Sequence, residues 1–188
     1  MRLIWGMSAS YCNLEAVIKQ IGFKDCDIQF VCSDTLYYQS SRFYNRLEFL
    51  EILSNYSSNT ILHTVQEAEN LTFSNMDGMI LAPCTANTLA KLINGIYDNG
   101  LLMACKVVLR NQKPLVIGFA SNDALGIGAM NLAKALQMKN IYLVPLRQDD
   151  YFNKPNSLVC DWSLLEKTWI SALEHKQIQP LLKGDNAC

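Results

Sequence analysis

The residues with the most chemical content run together as Ala82-Pro83-Cys84-Thr85-Ala86-Asn87-Thr88-Leu89-Ala90-Lys91, followed by Asn94-Gly95-Ile96-Tyr97-Asp98-Asn99. They come directly after the apolar run Met79-Ile80-Leu81, so the pattern predicts a buried strand that ends in a proline turn and opens into a helix. Pro83 has no N–H for a strand ladder, and Thr85, Asn87 and Thr88 are each able to cap the new helix. Hydroxyl, amide and free N–H groups gathered at a helix start suit a flat, polar-edged, anionic guest.

Other loops carry the same chemistry. Gly6-Met7-Ser8-Ala9-Ser10 follows an apolar run, Ser33-Asp34-Thr35 follows a second, and Ser121-Asn122-Asp123-Ala124-Leu125-Gly126 follows a third. Each reads either as a helix cap or as part of a phosphate cradle, and none matches the dinucleotide glycine fingerprint or the P-loop. Together with the proline motif they make four short polar loops at strand ends, which points to a phosphate-bearing heteroaromatic cofactor. Cys84 lies among them without an adjacent His or Lys to make it a thiolate, so it is not read as a nucleophile.

The elements that must position these loops alternate. Strands are expected at Leu3–Trp5, Ile28–Cys32, Thr60–Val65, Met79–Ala82, Leu115–Ala120 and Ile141–Val144. Helices are expected over Leu14–Ile21, around Phe43, Leu47, Leu50 and Leu53, over Leu89–Tyr97, Leu101–Leu109 and Ala124–Gln137, and from Trp162 to His175. Such alternation implies right-handed crossovers and a three-layer α/β/α sandwich around a mainly parallel sheet, with ligands at the carboxyl ends of the strands.

Composition sets the outer bounds. The 188 residues read as one domain spanning 1–188, 50% hydrophobic with a net charge of −1, which favours neither disorder nor bulk attraction to nucleic acid. The apolar runs fall well short of the roughly 20 residues of a membrane span. Because strand-like sequence begins at Leu3, no signal peptide is expected and the protein is placed in the cytoplasm. Seven cysteines, odd in number and without a C-x-x-C pair, argue against a disulfide framework and a zinc site; most are expected to be reduced and buried, and no metal site is expected.

On these residues the chain resembles the flavoprotein family that includes the flavin-dependent cysteine decarboxylases. The likeness rests on Gly6-x-Ser8-x-Ser10, Ser33, and Ala82-Pro83-x-Thr85-Ala86-Asn87-Thr88-x-x-Lys91 with Asn94-Gly95-Ile96-x-Asp98-Asn99. The second half is similar to the family's dipicolinate synthase B branch, through Asn111-Gln112-Lys113-Pro114, the 121–126 loop, Lys139-Asn140-Ile141-Tyr142-Leu143-Val144-Pro145, Lys154-Pro155-Asn156-Ser157-Leu158-Val159 and Gln177-Ile178-Gln179-Pro180-Leu181.

The resemblance implies FMN as cofactor. Gly6, Ser8, Ser10 and Ser33 would hold its phosphate and ribityl end, with Ala9 and Thr35 beside them. Thr85, Ala86 and Ser121 would border the ring, together with Pro83 and Asn122, and Asn87 would meet a substrate carboxylate. Ala9 stands where the family more often has glycine. The decarboxylases carry a histidine before the proline motif, where this chain reads Glu67-Ala68-Glu69-Asn70; His63 lies earlier and reads as packed or capped, and His175 as a helix-end residue.

The branch resemblance further implies oxidation of a dihydrodipicolinate to pyridine-2,6-dicarboxylate for spores. The partner would be the A subunit of dipicolinate synthase, which resembles a nicotinamide-dependent, NADP-using dehydrogenase, and the chain itself would form homo-oligomers. Two alternatives stay open: an FMN-dependent decarboxylase, disfavoured by the missing histidine, and a non-catalytic flavin-binding or stabilising partner protein. A dianionic substrate calls for cationic clamps. Lys91 is assigned to the site with Asn87, one turn away, although a solvated surface lysine fits the sequence as well. Arg42, Arg46, Arg147 and Lys154 are further candidates, the last two in a polar 145–157 loop that reads as a lid; for Arg147 a local pair with Asp149 or Asp150 is the competing account. Tyr37, Tyr38, Phe43 and Tyr44 read either as interface or as core.

Overall fold

The computed structural model describes residues 1–23, 26–71 and 76–184. Seven strands form one sheet: β1 (Arg2–Met7), β2 (Asp27–Cys32), β3 (Gly78–Cys84), β4 (Leu115–Ser121), β5 (Ile141–Leu143), β6 (Leu146–Arg147) and β7 (Leu158–Cys160). The order is β2-β1-β3-β4-β7-β6, with β5 also paired to β4. β1 to β5 run parallel, whereas β7 and β6 are antiparallel additions. The helices are α1 (Leu14–Ile18), α2 (Asp34–Tyr38), α3 (Arg46–Ser54), α4 (Val65–Glu69), α5 (Ala86–Ile93), α6 (Gly100–Arg110), α7 (Ala129–Gln137) and α8 (Leu165–Leu173).

Helices cover both faces of this mostly parallel sheet, the expected three-layer α/β/α arrangement. The alternation of side chains along β1 displays the two layers. Trp5 packs against Phe23 beyond α1, with ring centroids 5.6 Å apart. Its neighbour Gly6 points the other way, where an added Cβ would stand 2.3 Å from Met79 Cε and 2.6 Å from Leu101 Cδ1 of α6. Every residue of β3 is buried, as a central parallel strand covered on both faces requires.

Several expected boundaries move, each for a local reason. The segment 60–65 is not a strand: only Leu62 bridges β2, at Val31. Thr64 then begins a helix, because its hydroxyl accepts from Glu67 N–H at 3.2 Å while Glu67 Oε2 accepts from Thr64 N–H at 2.9 Å. That capping box ends the extended run. α3 starts at Arg46 behind the Asn45 cap and buries Phe49 and Leu53, leaving Phe43 and Leu47 exposed. α7 starts at Ala129 rather than Ala124, since residues 122–128 turn on Gly126 N–H to Asp123 O at 3.1 Å.

β3 does not stop before its proline. It runs through Pro83 to Cys84, with a bulge between the Leu81–Ile117 and Cys84–Phe119 pairs and a cis bond between Ala82 and Pro83. A bulge leaves residues out of the ladder, which is where a residue without an N–H fits. The 145–157 loop is framed by the β6–β7 hairpin, and β7 pairs Leu158 with Ser121 and Val159 with Ala120. This places the loop at the carboxyl end of β4.

Candidate functional site

Two adjacent cavities open at the carboxyl edge of the sheet, and the loop after β1 lines both. Its central residue, Ser8, is 1% exposed. Ser8 N–H and Oγ both donate to Pro83 O, at 3.0 and 2.9 Å, and Oγ accepts from Thr85 N–H at 2.9 Å. Trp5 Nε1 donates to Ala82 O at 3.0 Å. The hydroxyl expected to face a phosphate thus ties the end of β1 to the end of β3, and so holds the start of α5 in place.

The first cavity, about 230 Å³, lies where α2, α5 and α6 begin. Ser33 Oγ accepts from Leu36 N–H at 3.4 Å, Thr85 Oγ1 from Thr88 N–H at 3.3 Å, and Asn99 Oδ1 from Leu102 N–H at 3.0 Å. Each cap satisfies one N–H of its first turn and leaves others without a helical acceptor, so the positive ends of α5 and α6 meet the same space. Ser8, Ala9, Ser33, Thr35, Thr85, Asn87 and Lys91 all line it. The Asn87 amide is exposed and has no hydrogen-bond partner among the described residues. Lys91 is not a free cation, because Nζ pairs with Asp98 at 2.5 Å. Asp34, also in the wall, sits in the first turn of α2.

The second cavity, about 440 Å³, is built by Ser10 and its neighbours, by the 120–122 end of β4, by Arg42, and by the β6–β7 hairpin. Ser10 Oγ accepts from Asn13 Nδ2 at 2.8 Å, and Ser121 Oγ from Asp123 N–H at 3.2 Å. Ser157 Oγ donates to Asp149 Oδ1 at 2.6 Å. Burial works to raise the Asp149 carboxyl, but the Ser157 hydroxyl, backbone N–H groups and nearby Lys154 outweigh it and hold the group below the usual carboxylate range.

The structure therefore distributes the expected residues. Ser10, Ser121 and Asn122 belong to the second cavity, whereas Gly6, Pro83 and Ala86 line neither. Gly6 is spaced for the packing of α6, Pro83 supplies the carbonyl that Ser8 grips, and Ala86 is the first residue of α5. Sequence reasoning omitted Thr88, Asp98 and Asn99 from the site, although Asn99 before a helical run was a legible cap. For Asp149 and Ser157 no local signal existed, since a hairpin brings them in.

Cys12 lines the second cavity, whereas the other described thiols and both histidines line neither. The free cysteines are Cys12, Cys26, Cys32, Cys84, Cys105 and Cys160; Cys188 lies outside the described residues. Burial pushes the Cys84 thiol well above its ordinary range. His63 stacks on Tyr37 at 3.7 Å and 3°, with Nε2 2.8 Å from the Tyr38 hydroxyl, and lines neither cavity. Its Nδ1 is 3.4 Å from Glu67 Oε2 without forming a hydrogen bond. His175 follows α8 at the other end of the sheet, 3.4 Å from the Tyr142 hydroxyl.

Arg46 Nε donates to Tyr37 O at 2.7 Å, and Arg147 pairs with neither Asp149 nor Asp150 among the described residues. The 145–157 loop is braced by Gln148 Nε2 to Pro155 O at 2.9 Å and by Leu125 N–H to Asn156 O at 2.9 Å. Among the described residues no group of three or more His, Cys, Asp or Glu side chains is gathered as a metal would require, and no helix is long and apolar enough to cross a membrane.

Residues 1–172 match the Flavoprotein family model. The chain is 35% identical to the dipicolinate synthase B subunit of Bacillus subtilis (strain 168) over 185 residues, 96% of this chain and 92% of that one. It superposes on the crystal structure of the dipicolinate synthase B subunit from Bacillus halodurans C with a TM-score of 0.87 and 30% identity, covering 98% and 97% of the two chains. The FMN-dependent cysteine decarboxylase SpaF shares the fold, with a TM-score of 0.64 at 18% identity over 92% of this chain and 97% of that one.

Proposed function

The chain belongs to the flavoprotein family, and from that premise we propose that it is the B-type component of a dipicolinate synthase, contributing to the oxidation of a dihydrodipicolinate to pyridine-2,6-dicarboxylate during sporulation. The observation that carries the reading is the first cavity, where α5 and α6 start together behind polar caps. Orphaned first-turn N–H groups and aligned helix dipoles are the donor set a phosphate needs. At about 230 Å³ the cavity is below the usual size for a whole cofactor. It fits the phosphate end of FMN, and Thr85, Ala86 and Ser121 would be the residues to border the ring.

When bound, FMN supplies hydride acceptance from the dihydropyridine ring. The chain's own residues hold and orient. Ser33, Thr85 and Asn99 fix the helix starts, and the unpartnered Asn87 amide donates to a substrate carboxylate. Lys91 neutralises Asp98 so that the anion site is not opposed by a second carboxylate. The dehydrogenase-like A subunit, using NADP, is the partner in this scheme. The exposed side chains of Ile127 and Met130 support assembly with further copies of the chain, and the reading takes the protein to be cytoplasmic.

The decarboxylase alternative calls for the family's histidine at the rim, and neither cavity is lined by one. The histidines are held elsewhere, and Glu67 belongs to the Thr64 capping box. The test is direct. The purified chain should be yellow, or become so with added FMN, and should raise dipicolinate formation when mixed with its dehydrogenase-like partner. A chain that stays colourless with FMN present removes the cofactor from the scheme, and full rate from the partner by itself leaves the chain a stabilising role. Asn87→Ala should lower the rate of the complete system by about tenfold, the loss of one hydrogen bond to a charged group.

A further inference from the structure

We infer that the second cavity is the seat of the dicarboxylate, with the Arg42 guanidinium and the Lys154 ammonium each taking one carboxylate and Asn87 of the adjacent first cavity as a further donor at its edge. This assignment rests on the dipicolinate reading above and names the clamp for it.

The cations near the rim differ in what they already do. Lys91 is paired with Asp98 and Arg46 donates to the Tyr37 carbonyl, so both are engaged. Arg147 does not line the cavity. Arg42 and Lys154 do, and neither forms an ion pair or side-chain hydrogen bond among the described residues. They arrive from separate places, Arg42 from the loop before α3 and Lys154 from the β6–β7 hairpin. Two cations delivered to one cavity by unrelated segments, with Asp149 the one carboxylate among its lining residues, are not explained by the packing of either segment.

The local geometry favours carboxylates. Arg42 lies over the Phe43 ring, 4.7 Å from its centroid, which holds the planar guanidinium while leaving its fork of N–H donors for a planar acceptor. The backbone at Lys154 is pinned by its N–H to Asp150 O at 2.7 Å. The one carboxylate in the wall, Asp149, is occupied by Ser157, so the lining carries a net single positive charge before a ligand enters. The Asn122 amide, also without a side-chain partner among the described residues, adds a neutral contact. A cavity of about 440 Å³ lies in the range for a small-molecule site. A compact dianion with a carboxylate on each carbon flanking a ring nitrogen engages both cations, whereas a monoanion engages one.

The experiment is calorimetric titration of the full chain with pyridine-2,6-dicarboxylate and, separately, pyridine-2-carboxylate, with bound flavin read from the visible spectrum of the same samples. The diacid should bind about tenfold more tightly than the monoacid, and Arg42→Gln and Lys154→Gln should each weaken the diacid by about tenfold and abolish that preference. Arg42→Lys should restore part of the affinity. Arg147→Gln, the same loss of charge from a nearby strand, should leave binding unchanged. Diacid binding that survives both glutamine variants overturns the clamp and leaves the functional reading standing. Equal binding of the two acids to the unaltered chain also overturns it. A weakening matched by loss of flavin or a lowered melting temperature assigns the residues to the scaffold, and again overturns it. A chain that binds flavin but neither acid removes the functional reading as well.

Discussion

The two ends of the sheet share helix α6, yet one gathers helix starts and the other helix ends. At the carboxyl edge α5 and α6 begin, and the cavity there is about 230 Å³. At the opposite end α6, α7 and α8 finish around a cavity of about 690 Å³, three times larger. Its walls contain Gln112, Asn140 and His175, with φ of 56°, 66° and 57°, the non-glycine residues with positive φ among those described. They follow the ends of α6, α7 and α8, and a left-handed residue after the last turn is a common way to stop a helix. The larger cavity therefore faces helix C-termini, with Lys139 in its wall, whereas the smaller is met by helix N-termini, with Asp34, Asp98 and Lys91 in its wall. Helix direction set by parallel topology, rather than volume, is what sets the cavity proposed for the phosphate apart.

The hardest test of this contrast is Gly100→Ala, where α6 meets the first cavity. An added Cβ would stand 2.3 Å from His63 O and 2.6 Å from Thr64 O, backbone atoms that cannot swing aside. We expect a loss of about 3 kcal/mol in urea denaturation, at the upper end for overpacking, together with weaker flavin retention as the Asn99 cap shifts. Unchanged stability would show that the start of α6 is not pinned.

A matched pair sharpens the comparison. Gln177 Oε1 accepts from Leu143 N–H at 2.8 Å and its Nε2 donates to Leu143 O at 2.7 Å, closing the exposed side of β5. Gln177→Ala and Thr85→Ala should each cost about 1–2 kcal/mol, the first by stranding buried backbone groups and the second by removing a cap. Flavin content should fall only in Thr85→Ala. Equal flavin loss in both would mean that the two ends are not functionally distinct.

The smallest effect concerns acid. Asp149 is held below the ordinary carboxylate range, so its contribution is fully present above the unfolded value of about 3.9 and fades as pH falls through the lower folded one. The protection of the Ser157 N–H, which donates to Lys154 O at 3.0 Å, against hydrogen exchange should fall at low pH while the protection at Leu143 does not follow. Asp149→Asn should remove that acid response.

Much of this was legible in the chain. Strands β1, β2, β4 and β5, the helix after the proline motif and the polar loops follow from period and capping chemistry, because those signals are local. What was missed depended on contacts between distant segments or on a competing cap. Residues 60–65 have strand-like composition, yet the capping box that Thr64 forms with Glu67 decides their fate. The 145–157 stretch contains nothing that announces a hairpin, since β7 exists only by pairing with the end of β4. Nor does any pattern around Arg42 or Lys154 say that they share a cavity.

The sequence by itself determined the alternation of elements, the identity of the caps and the rim on which polar groups collect, because hydrophobic period and N-cap chemistry act within a few residues. Only the tertiary structure decided which groups remain available. It committed the Ser8 hydroxyl to Pro83 and Thr85, paired Lys91 with Asp98, stacked His63 on Tyr37, and left the side chains of Asn87, Arg42 and Lys154 without a hydrogen bond or ion pair among the described residues. Whether a polar side chain is consumed or left free is settled by neighbours that lie far away in the chain, and those neighbours exist only once it has folded.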